Sequence, residues 1–105
     1  MERIIRCGDA IREAIDQEME IDERVIVMGQ GIDDAKGMWG TTMGLQKKYG
    51  AERVFDTPLA EDGMTGVAIG AALAAMRSIH THIRMDFLIL AMNQLVNIAA
   101  KSRYM

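Results

Sequence analysis

The chain has 105 residues, 50% of them hydrophobic, and a formal net charge of −3, which are typical of one small globular domain. Charges of both signs are mixed along it without a basic stripe, so we expect no nucleic-acid partner. The single Cys7 cannot form an internal disulfide, as is usual in a reducing cytoplasm. The uncharged run at residues 63–76 is too short to span a bilayer, and no run in the chain is longer, so no membrane segment is expected.

The first part of the chain predicts a helix, a strand and a loop. Residues 7–20 have apolar side chains that recur on one helical face and charged side chains on the other. Residues 24–29 are a β-branched run without polar alternation, which is typical of a parallel strand covered on both faces. Residues 30–40 contain three glycines and two adjacent aspartates and therefore predict a loop.

A short helix is predicted next, capped by Thr41 or Thr42 and continuing to Lys48 before Gly50 ends it. A second strand is predicted at residues 53–55, and a proline follows it closely. The third strand is predicted at residues 78–83.

The helix predicted at residues 61–76 lies between the last two strands, and a final helix is predicted at residues 86–100 with Asp86 as its N-cap. Helices and strands alternate, which predicts the α/β class with a mainly parallel sheet and helices on both faces. Three short strands make a narrow sheet with open edges, so we expect residues 1–105 to be one partial domain.

The start of the helix at 61–76 is the most informative segment. Behind its first acids, Glu61 and Asp62, it has no charge, and small residues are frequent, which predicts neighbouring backbones close to Gly66 and Gly70. Desolvation would raise the pKa of a carboxyl group there, whereas the helix N-terminus would lower it. A carboxyl group under both influences can share a proton with a basic heterocycle. The alternative is that the acids only complement the helix dipole.

Six segments resemble one family, and the likeness runs in register along almost the whole chain. They are residues 24–29, 44–50, 53–58, 61–72, 85–87 and 91–105. They resemble the beta subunit of thiamine-dependent 2-oxoacid dehydrogenases, which act on pyruvate, branched-chain 2-oxoacids or acetoin. The resemblance lies in the N-terminal pyrimidine-binding, transketolase-like domain. It implies a thiamine diphosphate-binding fold and an enzyme of oxidative decarboxylation with acyl transfer to lipoamide.

The resemblance implies roles for four residues. Glu61 matches the glutamate that hydrogen-bonds N1′ of the aminopyrimidine ring and so activates thiamine diphosphate, which carries the chemistry. Phe87 matches the aromatic residue that packs on this ring, and Leu59 and Ile83 match positions lining the same pocket. Ordinary core packing is the alternative for these three residues. The resemblance implies that an alpha subunit holds the diphosphate and the magnesium ion. It implies no metal ligand in this chain.

The partners implied by the resemblance are the alpha subunit, a second beta subunit and the acyltransferase core of the complex. We expect a cytoplasmic hetero-oligomer in which this chain alone is inactive. The sequence departs from the family at Gln30 and Gly31, where an acidic residue is usual, and at Ala60 and Ser78, where serine and proline are frequent.

Other interpretations remain open. Residues 25–31 run from a strand into Gly-x-Gly, as in a dinucleotide-binding turn, but the third glycine is missing. The chain is alternatively a non-catalytic interaction module or part of another transketolase-like thiamine enzyme. His80 and His82 are predicted to share one face of a strand, where two histidines can begin a metal site. We favour a role as polar strand residues near a subunit contact.

Overall fold

The computed structural model describes residues 2–36 and 39–105, so Gly37 and Met38 of the predicted loop lie outside the described residues. Three parallel strands form the sheet in the order β2-β1-β3. They are β1 (Val25–Gly29), β2 (Val54–Asp56) and β3 (Arg77–Thr81). The predicted α/β class with a parallel sheet is confirmed.

The helices alternate with the strands. They are α1 (Cys7–Ile21), α2 (Leu45–Tyr49), α3 (Glu61–Leu73) and α4 (Met85–Leu88). After α4 come a 3₁₀ turn, Ile89–Ala91, and a π-helical stretch, Gln94–Ala99. We call residues 85–99 the C-terminal helical segment. Within residues 2–36 and 39–105, every helix is too short or too polar to cross a bilayer.

The central strand β1 organises the core because all five of its residues are buried. One face of the sheet packs on α1 and α2 through a cluster of apolar side chains. Its buried members are Ile15, Met19, Val25, Val27, Ile32, Leu45 and Val54. Burial of one such large side chain contributes about 1.5–3 kcal/mol.

The other face of the sheet meets α3. Ser78 of β3 donates its hydroxyl to the Ala68 carbonyl oxygen of α3 over 3.0 Å. Since alternate residues of a strand point to opposite faces, Ile26, which pairs with Ser78, lies on this side. Helices therefore cover both faces, as predicted.

Polar contacts fix the N-terminal half. The Arg53 guanidinium, just before β2, donates to three backbone carbonyl oxygens, those of Met19, Asp22 and Val25, over 2.9–3.0 Å. It therefore joins the end of α1 to the start of β1. Between α1 and α2, the Tyr49 hydroxyl donates to the Asp16 carbonyl oxygen over 2.9 Å.

Two predicted helix N-caps are wrong. The helix α2 begins at Leu45, and its N-cap is Gly44 in the left-handed conformation with φ 76°, which glycine adopts at no steric cost. Thr42 lies in the turn before it. Arg84 holds the N-cap position of α4, so Asp86 lies inside the first turn, where its charge still complements the helix dipole.

The predicted ends of two helices also differ from the structure. The helix α3 stops at Leu73 instead of residue 76. Ala75 has φ 72°, while the Met76 N–H donates to the Ala71 carbonyl oxygen over 2.9 Å and the Ala75 N–H to the Ala72 carbonyl oxygen over 3.1 Å. These two bonds form a Schellman termination, which usually has glycine at the left-handed position. The predicted helix at residues 86–100 is helical but mixes three hydrogen-bonding patterns.

Candidate active site

One edge of the sheet collects the carboxyl ends of all three strands. The strand β1 leads into Gln30, β2 leads into Thr57, and β3 leads into His82. The first residue of α3, Glu61, joins them through a contact with Gln30. Ligands of parallel α/β sheets usually bind at this edge, so Glu61 lies where such a sheet would place a ligand.

Close backbone approach fixes the strand ends at this edge. Gly29 has φ 153°, and a Cβ there would lie 2.3 Å from the Thr81 carbonyl oxygen of β3. On the other side, the Thr57 N–H donates to the Gly29 carbonyl oxygen over 2.9 Å. Asp56 accepts the Ile32 N–H at Oδ1 over 3.2 Å. The turn after β1 is therefore held from both neighbouring strands.

Glu61 is half-buried, and its surroundings favour the ionised form of its carboxyl group. The Gln30 side-chain Nε2 donates to Glu61 Oε1 over 3.2 Å. The pKa of Glu61 lies below its ordinary value, first because its own backbone N–H bonds the carboxylate and second because Gln30 does so. The charges of His82 and His80 lower this pKa further, whereas burial raises it. The influences that lower the pKa are therefore together stronger than burial, which raises it.

His80 and His82 share one face, as predicted. Thr65 Oγ1 of α3 lies 3.3 Å from His80 Nδ1 and 3.4 Å from His82 Nε2, and the two ring centroids are 4.2 Å apart. Burial, followed by the charge of His82, lowers the pKa of His80, while Glu61 opposes this shift. Throughout the described ranges, 2–36 and 39–105, no three histidine, cysteine or acidic side chains are placed to hold a metal ion.

Two buried polar atoms near this edge have no hydrogen-bond partner among the described residues. They are Thr57 Oγ1, just after β2, and His82 Nδ1, just after β3. A buried polar atom without a partner costs free energy, so such atoms usually bond to water, a ligand or another chain. Their position beside the strand ends makes this edge a candidate for a bound group.

The three predicted apolar site residues lie in the segments that follow the carboxyl ends of β2 and β3. The Ile83 side chain approaches Gly31, since a Cβ on that glycine would lie 3.6 Å from Ile83 Cδ1. Leu59 is 82% exposed and Phe87 is 39% exposed. The Arg84 guanidinium lies over the Phe87 ring, 5.8 Å from its centroid. Ile83 thus lies beside the turn after β1, whereas Leu59 and Phe87 offer apolar surface to solvent, and the binding roles of all three stay predictions.

The surroundings of α3 differ from the prediction. A Cβ on Gly66 would meet the Gln94 side chain, with Oε1 at 3.2 Å, and not a neighbouring backbone. A Cβ on Gly70 would have no described atom within 4 Å. Only Thr65 and Ala68 of α3 are buried, so the described residues cover one face of this helix.

Sequence reasoning missed two residues of this arrangement. Gln30 was noted for its difference from the family, but its hydrogen bond with Glu61 was not predicted. Thr65, which lies between the two histidines, was treated only as part of a helix of small residues. The position of Gln30 directly after a central parallel strand was an available signal, because such positions face the ligand edge.

Comparisons with known proteins give consistent matches along most of the chain. The family model described as "Transketolase, pyrimidine binding domain" matches residues 4–105. A pyruvate dehydrogenase E1 component subunit beta-1 of Arabidopsis thaliana is 43% identical over 97 residues, and the human subunit beta is 41% identical over 97 residues. A 2-oxoisovalerate dehydrogenase subunit beta of Bacillus subtilis is 47% identical over 96 residues.

These matches cover most of this chain but a small part of each relative. They include 92% of the chain for the plant and human proteins and 91% for the bacterial one. The chain spans only 27% of the length of the first two relatives and 29% of the third.

Proposed function

The chain belongs to the transketolase pyrimidine-binding domain family, and from that membership we propose that it forms half of a thiamine diphosphate site in a 2-oxoacid dehydrogenase. The observation that carries this proposal is the location of Glu61. It is a carboxyl group whose pKa is lowered, at the N-terminus of α3, where the carboxyl ends of the parallel strands meet. In the proposal, Glu61 is the residue that contacts the aminopyrimidine ring.

The residues around Glu61 suit such a ring. A flat heterocycle with a basic nitrogen needs an acceptor for its ring N–H and apolar surface for its faces. Glu61 supplies the acceptor, and an ionised carboxylate beside a ring nitrogen favours the protonated form of that nitrogen. Phe87 would pack on a face of the ring, while Leu59 and Ile83 would line its edges. The partnerless Thr57 Oγ1 and His82 Nδ1 add polar atoms nearby.

The cofactor would supply the chemistry, since bound thiamine diphosphate provides the carbanion that attacks a 2-oxo group. This chain would bind the pyrimidine, orient it and hold a proton between Glu61 and the ring nitrogen. A positioned acid or base of this kind accelerates a reaction by about 100-fold to 10,000-fold.

The remainder of the site would come from another chain. Leu59 is 82% exposed, so a second surface is needed to close a pocket over it. We propose that an alpha subunit supplies that surface together with the diphosphate and magnesium sites. A second beta subunit and an acyltransferase core would complete the complex, and the substrate would be a 2-oxoacid such as pyruvate or a branched-chain relative.

The test is co-expression with the alpha subunit from the same source, followed by an assay of 2-oxoacid decarboxylation. We expect thiamine-dependent activity, and we expect Glu61→Gln to lower kcat by about 100-fold or more, because the amide cannot hold the proton. The matched control is Asp62→Asn, the same change at the next and exposed residue, which should leave kcat within about twofold of the wild type.

Other outcomes separate the alternatives. Full activity in Glu61→Gln would contradict the proposal. Activity on ketose phosphates instead of 2-oxoacids would assign the chain to another transketolase-like enzyme. A stable but inactive complex with the alpha subunit would favour an interaction module.

A further inference from the structure

Gln30 is the residue that connects β1 with the start of α3. It follows the last residue of β1 and is half-buried, and its side chain reaches Glu61, which is 31 positions later in the chain. The bond joins Gln30 Nε2 to Glu61 Oε1 over 3.2 Å. An ionised carboxylate only accepts hydrogen bonds, so the amide must present its NH₂ group to Glu61.

The geometry restricts the Glu61 side chain. A glutamate side chain has three rotatable bonds, and a free one on a helix surface samples many conformers. The amide of Gln30 donates to this carboxylate over 3.2 Å, so the Glu61 side chain is tied to the residue that follows β1. The Gln30 backbone is itself fixed, because Gly29 before it lies between β2 and β3.

We propose that Gln30 is a positioning residue whose side-chain amide holds the Glu61 carboxylate in the orientation in which it meets the aminopyrimidine. This inference rests on the proposed function of Glu61 and assigns Gln30 no contact with the cofactor. The amide also acts on the charge of Glu61, since it is the second-largest cause that lowers the pKa of that carboxyl group. Two other titratable groups act on the pKa of Glu61. They are His80, which belongs to β3, and His82, which directly follows β3.

Two substitutions of Gln30 have different expected effects. Gln30→Ala removes one donor, so the Glu61 pKa should rise and the affinity for thiamine diphosphate should fall by about 3–10-fold. Gln30→Glu places a second carboxyl group beside Glu61, and two carboxylates at that distance cannot both ionise easily. The Glu61 pKa should therefore rise further in Gln30→Glu than in Gln30→Ala.

A matched control is available in Gln46. Its Nε2 donates to the Val54 carbonyl oxygen over 2.9 Å, and it is also half-buried. Gln46→Ala thus removes one side-chain amide hydrogen bond away from the sheet edge. It should leave the titration of Glu61 and the affinity for the cofactor unchanged.

The experiment has two readouts. The first is the titration of the Glu61 carboxyl carbon by NMR in the 105-residue chain, assigned by its loss in Glu61→Gln, with circular dichroism to check that each variant is folded. The second is thiamine diphosphate affinity and the pH profile of kcat/KM in the assembly with the alpha subunit. We expect the acid limb of that profile to move to higher pH in Gln30→Glu, because Glu61 must be ionised.

The outcomes distinguish this inference from the proposed function. If Glu61→Gln abolishes activity while both Gln30 variants leave the Glu61 titration and the cofactor affinity unchanged, the positioning role is overturned and the proposed function stands. If Glu61→Gln itself keeps full activity and affinity, the proposed function fails and the role of Gln30 fails with it. A raised Glu61 pKa and weakened affinity in both Gln30 variants, absent in Gln46→Ala, would support the inference.

Discussion

The two halves of the chain differ in how far their apolar side chains are exposed to solvent. Residues 7–56 enclose a core against β1 in which Met19, Val27, Leu45 and Val54 are at most 1% exposed. In residues 61–99, Leu73 and many apolar side chains of the C-terminal helical segment are in contact with solvent. The exposed fractions are 70% for Leu73, 69% for Ile89 and 59% for Leu90.

The difference shows which half of the chain encloses a core and which half exposes apolar surface that another protein could cover. The first half encloses an apolar core of its own, although Ile21 and Trp39 are exposed, whereas the second half has the composition of a buried region but is covered on one side only. The candidate site lies at the boundary, since Gln30 follows the closed core and Glu61 starts the open half. In the proposed assembly, further protein covers the open half and closes the site.

The largest expected effect, and the strongest test of the difference between the halves, comes from truncating one leucine in each half. Leu45→Ala should lower the free energy of unfolding by about 2–5 kcal/mol, because a fully buried leucine leaves a cavity. Leu73→Ala, the same change at a residue that is 70% exposed, should change it by less than about 0.5 kcal/mol. Urea denaturation of both variants measures the difference, and equal losses would show that the halves are equally packed.

A second prediction concerns the polar contacts of the closed half. Arg53→Ala should lower the free energy of unfolding by about 1–3 kcal/mol, because three backbone carbonyl oxygens lose a charged donor. Arg24→Ala serves as the control, since Arg24 is itself exposed and pairs with half-buried Asp22, so this change should lower the free energy of unfolding by at most about 1 kcal/mol. A smaller loss for Arg53→Ala than for Arg24→Ala would contradict the role of Arg53 in joining α1 to β1.

The smallest expected effect is the pH dependence contributed by Asp22. Hydrogen bonds from Arg24 lower the pKa of Asp22 from 3.8 to about 2. A carboxyl group whose folded pKa is depressed stabilises the fold above its unfolded pKa, and this contribution disappears as the pH falls through the folded value. Asp22→Asn should therefore be slightly less stable than the wild type at pH 7, and the difference should shrink as the pH falls from about 4 and disappear below about pH 2. A difference in stability that does not shrink over this range would be inconsistent with this shift.

The sequence was sufficient to predict the order of elements for a physical reason. A continuous β-branched run such as Val25–Gly29 is stable only as a covered strand, and α1 shows the spacing of a helix with one apolar face. The start of α3 at Glu61 was predicted for a similar reason, since a strand, a proline and an acidic pair precede it. These signals are local, so they can be recognised without the fold.

The features that could not be predicted depend on contacts distant in sequence or on unusual residues. Ala75 takes the left-handed position where glycine is expected, so the end of α3 carried no signal. The small residues of α3 indicate close packing but not which atoms approach, and the neighbour of Gly66 is a side chain from the C-terminal helical segment. The bond between Gln30 and Glu61 joins residues 31 positions apart and depends on the sheet order.

The most direct measurement is a structure of this chain assembled with its alpha subunit and thiamine diphosphate. We predict that a carboxylate oxygen of Glu61 lies within about 3.2 Å of N1′ of the aminopyrimidine, as a charge-assisted hydrogen bond requires. Phe87 should then contact a face of the ring. A cofactor bound away from the carboxyl edge of the sheet, or a Glu61 side chain turned to solvent beside a bound pyrimidine, would contradict the proposal.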